Sequence, residues 1–237
     1  MVIFIVKLIK KEEVAEDTMA FYFEKPSSFE FTAGQYITVT LLNPLETDAE
    51  GSSRFFSLIT APCENYLGVA TRMRDTAFKR VLKNLPITSK MQITGPFGSF
   101  FLHKDTSKPA VFLIGGIGIT PIFSIIKNTT RNKTPHKLFL FYSNKKPNSA
   151  PFLKELQELE KENSNFKLIA TMTSPTQDWQ GETGYINKEM IQKYVKDLGS
   201  PIYYMSGSPA MVKAMRELLG KTGIIDSNIK FEEFSGY

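Results

Sequence analysis

VFLIGGIGITP, residues 111–121, is the stretch on which the fold turns. Val111 to Ile114 reads as a short strand buried on both faces, as in a parallel sheet. Gly115, Gly116 and Gly118 follow. Then come Thr120, a favoured N-cap, and Pro121, pre-set for the first helical position. A strand, a glycine turn and a helix start together make an anion site. Missing Cβ atoms admit a ligand to the backbone, and the free N–H groups and helix dipole favour a phosphate. The pattern departs from GxGxxG, because Pro121 stands where the third glycine belongs. Taken alone, the stretch fits a ligand-free strand-to-helix turn equally well.

Downstream of it, strand and helix signals alternate. Strands are expected at Lys137 to Tyr142, Phe166 to Met172, Ile202 to Met205 and Ile229 to Phe234. Helices are expected at Pro121 to Asn128, Pro151 to Asn163, Lys188 to Lys196 and Pro209 to Leu219. Such alternation predicts βαβ units and a parallel sheet with helices on both faces. Upstream, six short segments rich in β-branched and aromatic residues lie between turn residues: Val2 to Ile9, Met19 to Glu24, Gln35 to Leu42, Arg54 to Ile59, Tyr66 to Met73 and Met91 to Gly95. Six strands at this spacing predict an antiparallel six-stranded β-barrel, with one helix at Thr76 to Leu85. The polar stretch Lys104 to Pro109 divides the chain into a barrel domain, residues 1–104, and an α/β domain, residues 109–237.

Composition narrows the chemistry. The 237 residues are 42% hydrophobic and 22% charged, ordinary for a well-packed protein of one or two domains. The single cysteine, Cys63, excludes an internal disulfide and a protein-held iron–sulfur cluster. His103 and His136 lie far apart in the sequence without ligand-spaced partners, so no metal site is expected. Redox or group-transfer chemistry therefore requires a bound organic cofactor. The net charge of +5 comes without basic runs or stacking motifs, so no nucleic-acid partner is expected. No apolar run has membrane-spanning length, and the N-terminal run is too short for a signal peptide. The expected location is the cytoplasm.

Other constellations sharpen the ligand. In RFFS, residues 54–57, strand alternation puts Arg54 and Phe56 on one face and Phe55 and Ser57 on the other. A cation beside a flat ring suits a ligand with a phosphate at one end and a ring system at the other, and a strand-start arginine before core aromatics fits as well. In RDTAF, residues 74–78, Asp75 or Thr76 caps the coming helix and leaves N–H groups free for an anion. MSGSPAM, residues 205–211, repeats the strand, small turn and Pro-led helix. Two such turns in one α/β sheet favour the ligand reading, since ligands bind at the carboxyl ends of its strands.

RFFS in a barrel, then GPFG (95–98), GGIGITP (115–121), SGSP (206–209) and a terminal aromatic, in this order, resemble the ferredoxin–NADP reductase-like family of FAD-dependent oxidoreductases. The resemblance covers nearly the whole chain. It implies a flavin-binding barrel, an NAD(P)-binding α/β domain and hydride transfer from NAD(P)H to FAD. Electrons would then pass to a separate acceptor, such as a ferredoxin- or flavodoxin-like protein, an oxygenase component or a small oxidant. A non-catalytic flavin-bearing subunit of a larger complex is the alternative. By the same resemblance Arg54 would hold the flavin diphosphate, Phe56 would pack on the isoalloxazine and Ser57 would bond near N5. Phe55, Ala70, Thr71, Arg72 and Thr76 would complete the flavin site. Gly115, Gly116, Gly118, Thr120 and Pro121 would cradle the nicotinamide nucleotide, with Ser143, Lys145 and Gly207. Lys145 suits a 2′-phosphate, which leans the coenzyme toward NADPH. Ser206 stands where many members have cysteine, and with Ser57 and Glu232 it is a candidate catalytic group. Phe234, or Tyr237 beyond it, would cover the flavin.

Overall fold

A computed structural model describes residues 2–234. Six antiparallel strands form the first half: β1 (Ile3–Ala15), β2 (Thr18–Glu24), β3 (Tyr36–Leu41), β4 (Ser53–Ser57), β5 (Tyr66–Arg72) and β6 (Lys90–Phe97), in the order β4-β3-β6-β1-β2-β5. A bridge between Leu58 and Val69 joins the two edges and closes the barrel. Alternation builds its interior: Val6 and Leu8 of β1 point inward and Ile5 and Lys7 outward. Helix α1 (Ala77–Asn84) plugs the barrel with Phe78 and Leu82, and Thr76 caps it by accepting from the Lys79 N–H at 3.4 Å.

The second half is a six-stranded parallel sheet: β7 (Ala110–Gly115), β8 (Leu138–Asn144), β9 (Phe166–Met172), β10 (Glu182–Thr183), β11 (Ile202–Gly207) and β12 (Ile229–Glu233), in the order β10-β9-β8-β7-β11-β12. Helices α2 (Ile119–Arg131), α3 (Leu153–Glu162), α4 (Lys188–Tyr194) and α5 (Pro209–Lys221) connect the strands. Val111 and Leu113 pack into one apolar cluster and Phe112 and Ile114 into another, so β7 is buried on both faces. Residues 98–109, which lead from the first sheet to the second, form no strand or helix.

The two halves share packing. Ala33, Ile59, Ala70 and Phe100 from the barrel side belong to the same apolar cluster as Ile122, Phe123 and Ile125 of α2. Ser124 donates to the Thr60 carbonyl at 2.6 Å, and Glu64 receives Lys127 at 2.6 Å and Arg131 at 3.2 Å. Helix α2 is thus fastened to the barrel along its length, which fixes the glycine turn at its start.

Three expectations need correction. β1 runs to Ala15 instead of Ile9, because its polar second half pairs with β2 through a hairpin. Thr120 is not the helix cap. Gly116–Gly118 form a single 3₁₀ turn that continues into α2, Gly118 is the N-cap, and Thr120 Oγ1 donates back to the Ile117 carbonyl at 3.1 Å. Pro121 therefore sits third in α2, where its missing N–H still costs nothing. His103 and His136, distant in sequence, are not distant in space: their rings meet edge to face at 5.1 Å, beside Tyr204. Among the described residues no group of three or more His, Cys, Asp or Glu is arranged to hold a metal.

Candidate cofactor site

In the parallel sheet, β7 is flanked by β8 on one side and β11 on the other, so the winding reverses between β7 and β11. The crevice outside their carboxyl ends is where such sheets bind ligands. Gly115 ends β7, and Ser206 and Gly207 end β11. A Cβ at Gly118 would lie 2.3 Å from the Ser206 carbonyl oxygen, so only glycine lets the turn reach this strand end. Gly116 has φ +52°, and a Cβ there would press on Arg72 Nη2 at 3.0 Å. These glycines make a cradle that side chains would fill.

Two clefts meet at this point. One, of about 330 Å³, is lined by Gly115, Gly116, Ser143, Asn144, Lys145, Thr173, Tyr185, Ser208 and Met211 from the parallel-sheet half, with Arg72 and Arg74 from the barrel. The other, of about 410 Å³, lies along the barrel against Tyr36, Arg54, Phe55, Phe56, Ser57, Ala70, Thr71, Arg72, Arg74, Thr76 and Lys79. Its far wall is Ile117, Thr120, Glu232, Glu233 and Phe234. Both halves of the chain therefore contribute to the barrel cleft, and Arg72 and Arg74 line both clefts.

Within the barrel cleft Arg54 and Phe56 do share a face. The Arg54 guanidinium lies 5.1 Å from the Phe78 ring and Phe56 packs on the same ring at 5.9 Å. Phe56 is only 9% exposed and is part of the barrel core. Phe55 is 72% exposed at the cleft mouth and meets Tyr36 edge to face at 5.8 Å. Ser57 is 6% exposed at the end of β4. Gly118, Pro121, Ser206 and Gly207 line neither cleft and stand behind the walls. Tyr237 lies outside the described residues.

Several buried polar atoms lack partners among the described residues: Ser206 Oγ, Glu232 Oε2, Arg72 Nε and both amide atoms of Asn144. Buried polar groups are ordinarily hydrogen-bonded, so the orphans on the cleft walls at Glu232, Arg72 and Asn144 fit a polar ligand, whereas Thr134 Oγ1 and His136 Nδ1, also unpartnered, line neither cleft. Burial pushes the Glu232 carboxyl up to about 7. Lys79, Asn144 and Tyr185 are cleft residues that sequence reasoning missed, and Arg74 was quoted only as the first residue of the RDTAF turn. Each is a common surface residue type outside any glycine or Arg-x-x-Ser pattern, and only folding brings them to the walls.

A barrel cleft joined to the switch point of a parallel sheet offers room for extended, phosphate-bearing ligands reached from both halves of the chain. Sequence comparison agrees. Residues 5–102 match the oxidoreductase FAD-binding domain and residues 112–217 the oxidoreductase NAD-binding domain. The chain belongs to the ferredoxin–NADP reductase-like family of oxidoreductases, and FAD and a nicotinamide dinucleotide are its cofactors. The glycine cradle and the orphaned polar groups fit both.

Among curated relatives, a subunit of the Na(+)-translocating NADH-quinone reductase of Idiomarina loihiensis is 34% identical over 153 residues. That match spans 62% of this chain and 37% of the relative. The flavohem-like FAD/NAD-binding domain of nitric oxide dioxygenase from Vibrio cholerae superposes with a TM-score of 0.84 at 15% identity, over 98% of each chain. A ferredoxin NADP+ reductase from Neisseria gonorrhoeae, with bound FAD and NADP, gives 0.82 at 18% identity, again over 98% of each. Among the described residues, no helix is long and apolar enough to cross a membrane.

Proposed function

We propose that this chain takes a hydride from NAD(P)H onto FAD and passes the electrons to a separate acceptor. The observation that supports it is the shared cleft, in which Ile117 and Thr120 of the glycine turn and Glu232 to Phe234 face Arg54 to Ser57. FAD supplies two-electron acceptance and one-electron release, and the chain supplies position and electrostatics.

In this reading Thr76 and the first N–H groups of α1 hold the flavin diphosphate, with Arg54 beside them. Ala70, Thr71 and Arg72 form the floor of the flavin site, and Phe55 and Phe56 its apolar side. Ser57 offers its hydroxyl to the flavin ring. Gly115 and Gly116 open the turn to the coenzyme phosphates, with Ser143 and Lys145 around them, while Gly118, Pro121 and Gly207 shape the turn from behind. Glu232, on the wall of the barrel cleft, faces the meeting point of the two cofactors, and Ser206 stands beside it in register on β11. Phe234, whose N–H donates to the Gly207 carbonyl at 3.0 Å, closes the ring site from the coenzyme side.

The acceptor is a separate redox protein or a small oxidant. The relationship to one component of a quinone reductase supports a second form of the proposal, in which the chain serves as the NAD(P)H-oxidising module of a larger assembly. A cytoplasmic location goes with either form and suits the exposed thiol of Cys63. The test is the visible spectrum of the purified protein before and after anaerobic NADPH or NADH. Flavin bands that bleach support the proposal. Bands that survive both coenzymes favour a flavin-bearing subunit without hydride chemistry, and a protein that stays colourless with added FAD overturns the reading.

A further inference from the structure

Tyr142 is fully buried on β8, in register with Ile114 of β7, and shares with it the apolar cluster that α2 covers. It lines neither cleft, yet its hydroxyl reaches the glycine turn. Its Oη donates to the Gly116 carbonyl and to the Pro151 carbonyl, each at 3.1 Å, so one proton is shared between two acceptors. The Gly116 carbonyl also accepts the Ile119 N–H, which occupies its second lone pair. The Pro151 end is held in turn. Asn148, in the 3₁₀ turn before it, accepts the Glu16 N–H of the barrel hairpin at 2.9 Å. Phe152, next in sequence, stacks on Phe123 of α2 at 4.4 Å.

A hydroxyl at this point decides which way one peptide faces. The unit between Gly116 and Ile117 is planar and trans, so its N–H points away from its carbonyl. With the carbonyl drawn to the buried Tyr142, the Ile117 N–H is turned to the opposite side, where Gly116 and Ile117 themselves form cleft wall. The helical run begins at Gly116, so no carbonyl within it receives the Ile117 N–H. Gly116 sits at φ +52°, and without a Cβ it adopts the flipped arrangement at little cost. Flipped, the turn would present a carbonyl oxygen, in place of an N–H, to an anionic diphosphate.

We propose that Tyr142 is a positioning residue of the coenzyme site: its hydroxyl fixes the Gly116–Ile117 peptide with the N–H, and not the carbonyl, toward the coenzyme diphosphate. The proposal rests on the NAD(P)H reading above and adds the group that sets the polarity of the turn. Tyr203 supplies the comparison. It is equally buried, on β11, and its hydroxyl donates to the Leu198 carbonyl at 2.8 Å, with neither residue on a cleft wall. Changing either tyrosine to phenylalanine removes one buried O–H donor to backbone carbonyl, and only that of Tyr142 ends on the turn.

The test is calorimetric titration of FAD-loaded Tyr142→Phe and Tyr203→Phe with NADP+ and NAD+, alongside thermal melts. Both variants are expected to melt roughly 3 °C below wild type, as for one net hydrogen bond. Only Tyr142→Phe is expected to raise the coenzyme Kd, roughly fivefold and by the same factor for NADP+ and NAD+, because the diphosphate is common to both. Its FAD Kd and its rate of flavin reduction at saturating coenzyme are expected to stay within about twofold of wild type, since only uniform binding is lost. The proposal is overturned if Tyr142→Phe keeps the wild-type coenzyme Kd, if Tyr203→Phe weakens the coenzyme equally, or if the FAD Kd of Tyr142→Phe rises by the same factor. An FAD-loaded wild-type chain that binds neither coenzyme removes the coenzyme reading itself, and this role with it.

Discussion

Ser206 and Glu232 stand opposite one another in register across β11 and β12, and each carries a buried oxygen without a partner among the described residues. Side chains paired in register project from the same face of a sheet. Desolvation pushes the Glu232 carboxyl up to about 7, so near neutral pH it interconverts between a proton donor and a pure acceptor. Flavin reduction by NAD(P)H is therefore expected to show an inflection near pH 7 that Glu232→Gln abolishes. Ser206→Ala is expected to slow reduction without moving it. Stopped-flow absorbance across pH checks this, and an inflection that survives Glu232→Gln assigns the titration to another group.

The same shift has a stability consequence of definite sign. Unfolded, Glu232 ionises near 4.5, whereas folded it keeps its proton to about 7. The native state thus binds more protons between those values, and stability falls as pH rises through them. Glu232→Gln is expected to melt higher than wild type at pH 8, by roughly 2 kcal/mol after allowing for solvent at the cleft, and to match it at pH 4. Thermal melts at the two pH values decide it.

Gly118 and Gly116 are expected to fail differently. A Cβ at Gly118 meets backbone, the Ser206 carbonyl at 2.3 Å, which cannot move aside without shifting β11 or α2. Gly118→Ala should cost about 3 kcal/mol and abolish coenzyme binding. At Gly116 the Cβ meets the mobile end of Arg72, and the φ of +52° adds about 1 kcal/mol of strain. Gly116→Ala should fold, with coenzyme affinity reduced. Equal melting losses in the two variants would refute the distinction.

Much of this architecture was legible because its signals are local. Alternation gave the barrel strands, and the apolar run before Gly115 gave a strand buried on both faces. The extent of β1 was hidden, since Lys10 to Glu13 look like a loop until β2 pairs with them. Thr120 resembled a cap because cap preference is read residue by residue, whereas the 3₁₀ turn forms over three glycine-rich positions at once. Residues quoted within motifs, such as Arg54, Thr76 and Gly116, do lie on cleft walls. Contacts set by distant partners were not legible. Nothing near Arg54 in sequence says that Asp48 and Glu50 hold it, and nothing near Glu64 announces α2.

Glu64 ties the barrel half to α2. Its carboxylate lies between Lys127 Nζ at 2.6 Å and Arg131 Nη2 at 3.2 Å, and accepts from Tyr66 Oη and the Ala61 N–H. Burial alone would raise this carboxyl, but the bonds from Lys127, Ala61 and Tyr66 outweigh it and hold the group below its ordinary range. Its stabilising contribution is therefore present above the unfolded value of about 4.5 and is lost as pH falls through the lower folded value. Glu64→Gln strands the half-buried Lys127 and is expected to cost about 2 kcal/mol at pH 7, with the difference from wild type shrinking in acid. It should also slow flavin reduction by NAD(P)H by a larger factor than it raises the FAD Kd, because the barrel side of the cleft is intact and only the wall carried by α2 is loosened. Reduction at the wild-type rate would show that apolar packing alone sets the domain geometry.

Lys145 tests the coenzyme. It follows β8 on the wall of the dinucleotide cleft, is exposed, and forms no ion pair among the described residues. An exposed ammonium meeting a 2′-phosphate contributes about 1 kcal/mol, or roughly a fivefold preference. Lys145→Gln is therefore expected to raise the KM for NADPH about fivefold and to leave NADH within twofold. The curated relative is named for NADH, which makes the wild-type comparison itself informative. An equal rise for both coenzymes would move Lys145 to the shared diphosphate, and a strong wild-type preference for NADH would mean that no 2′-phosphate is read at this wall.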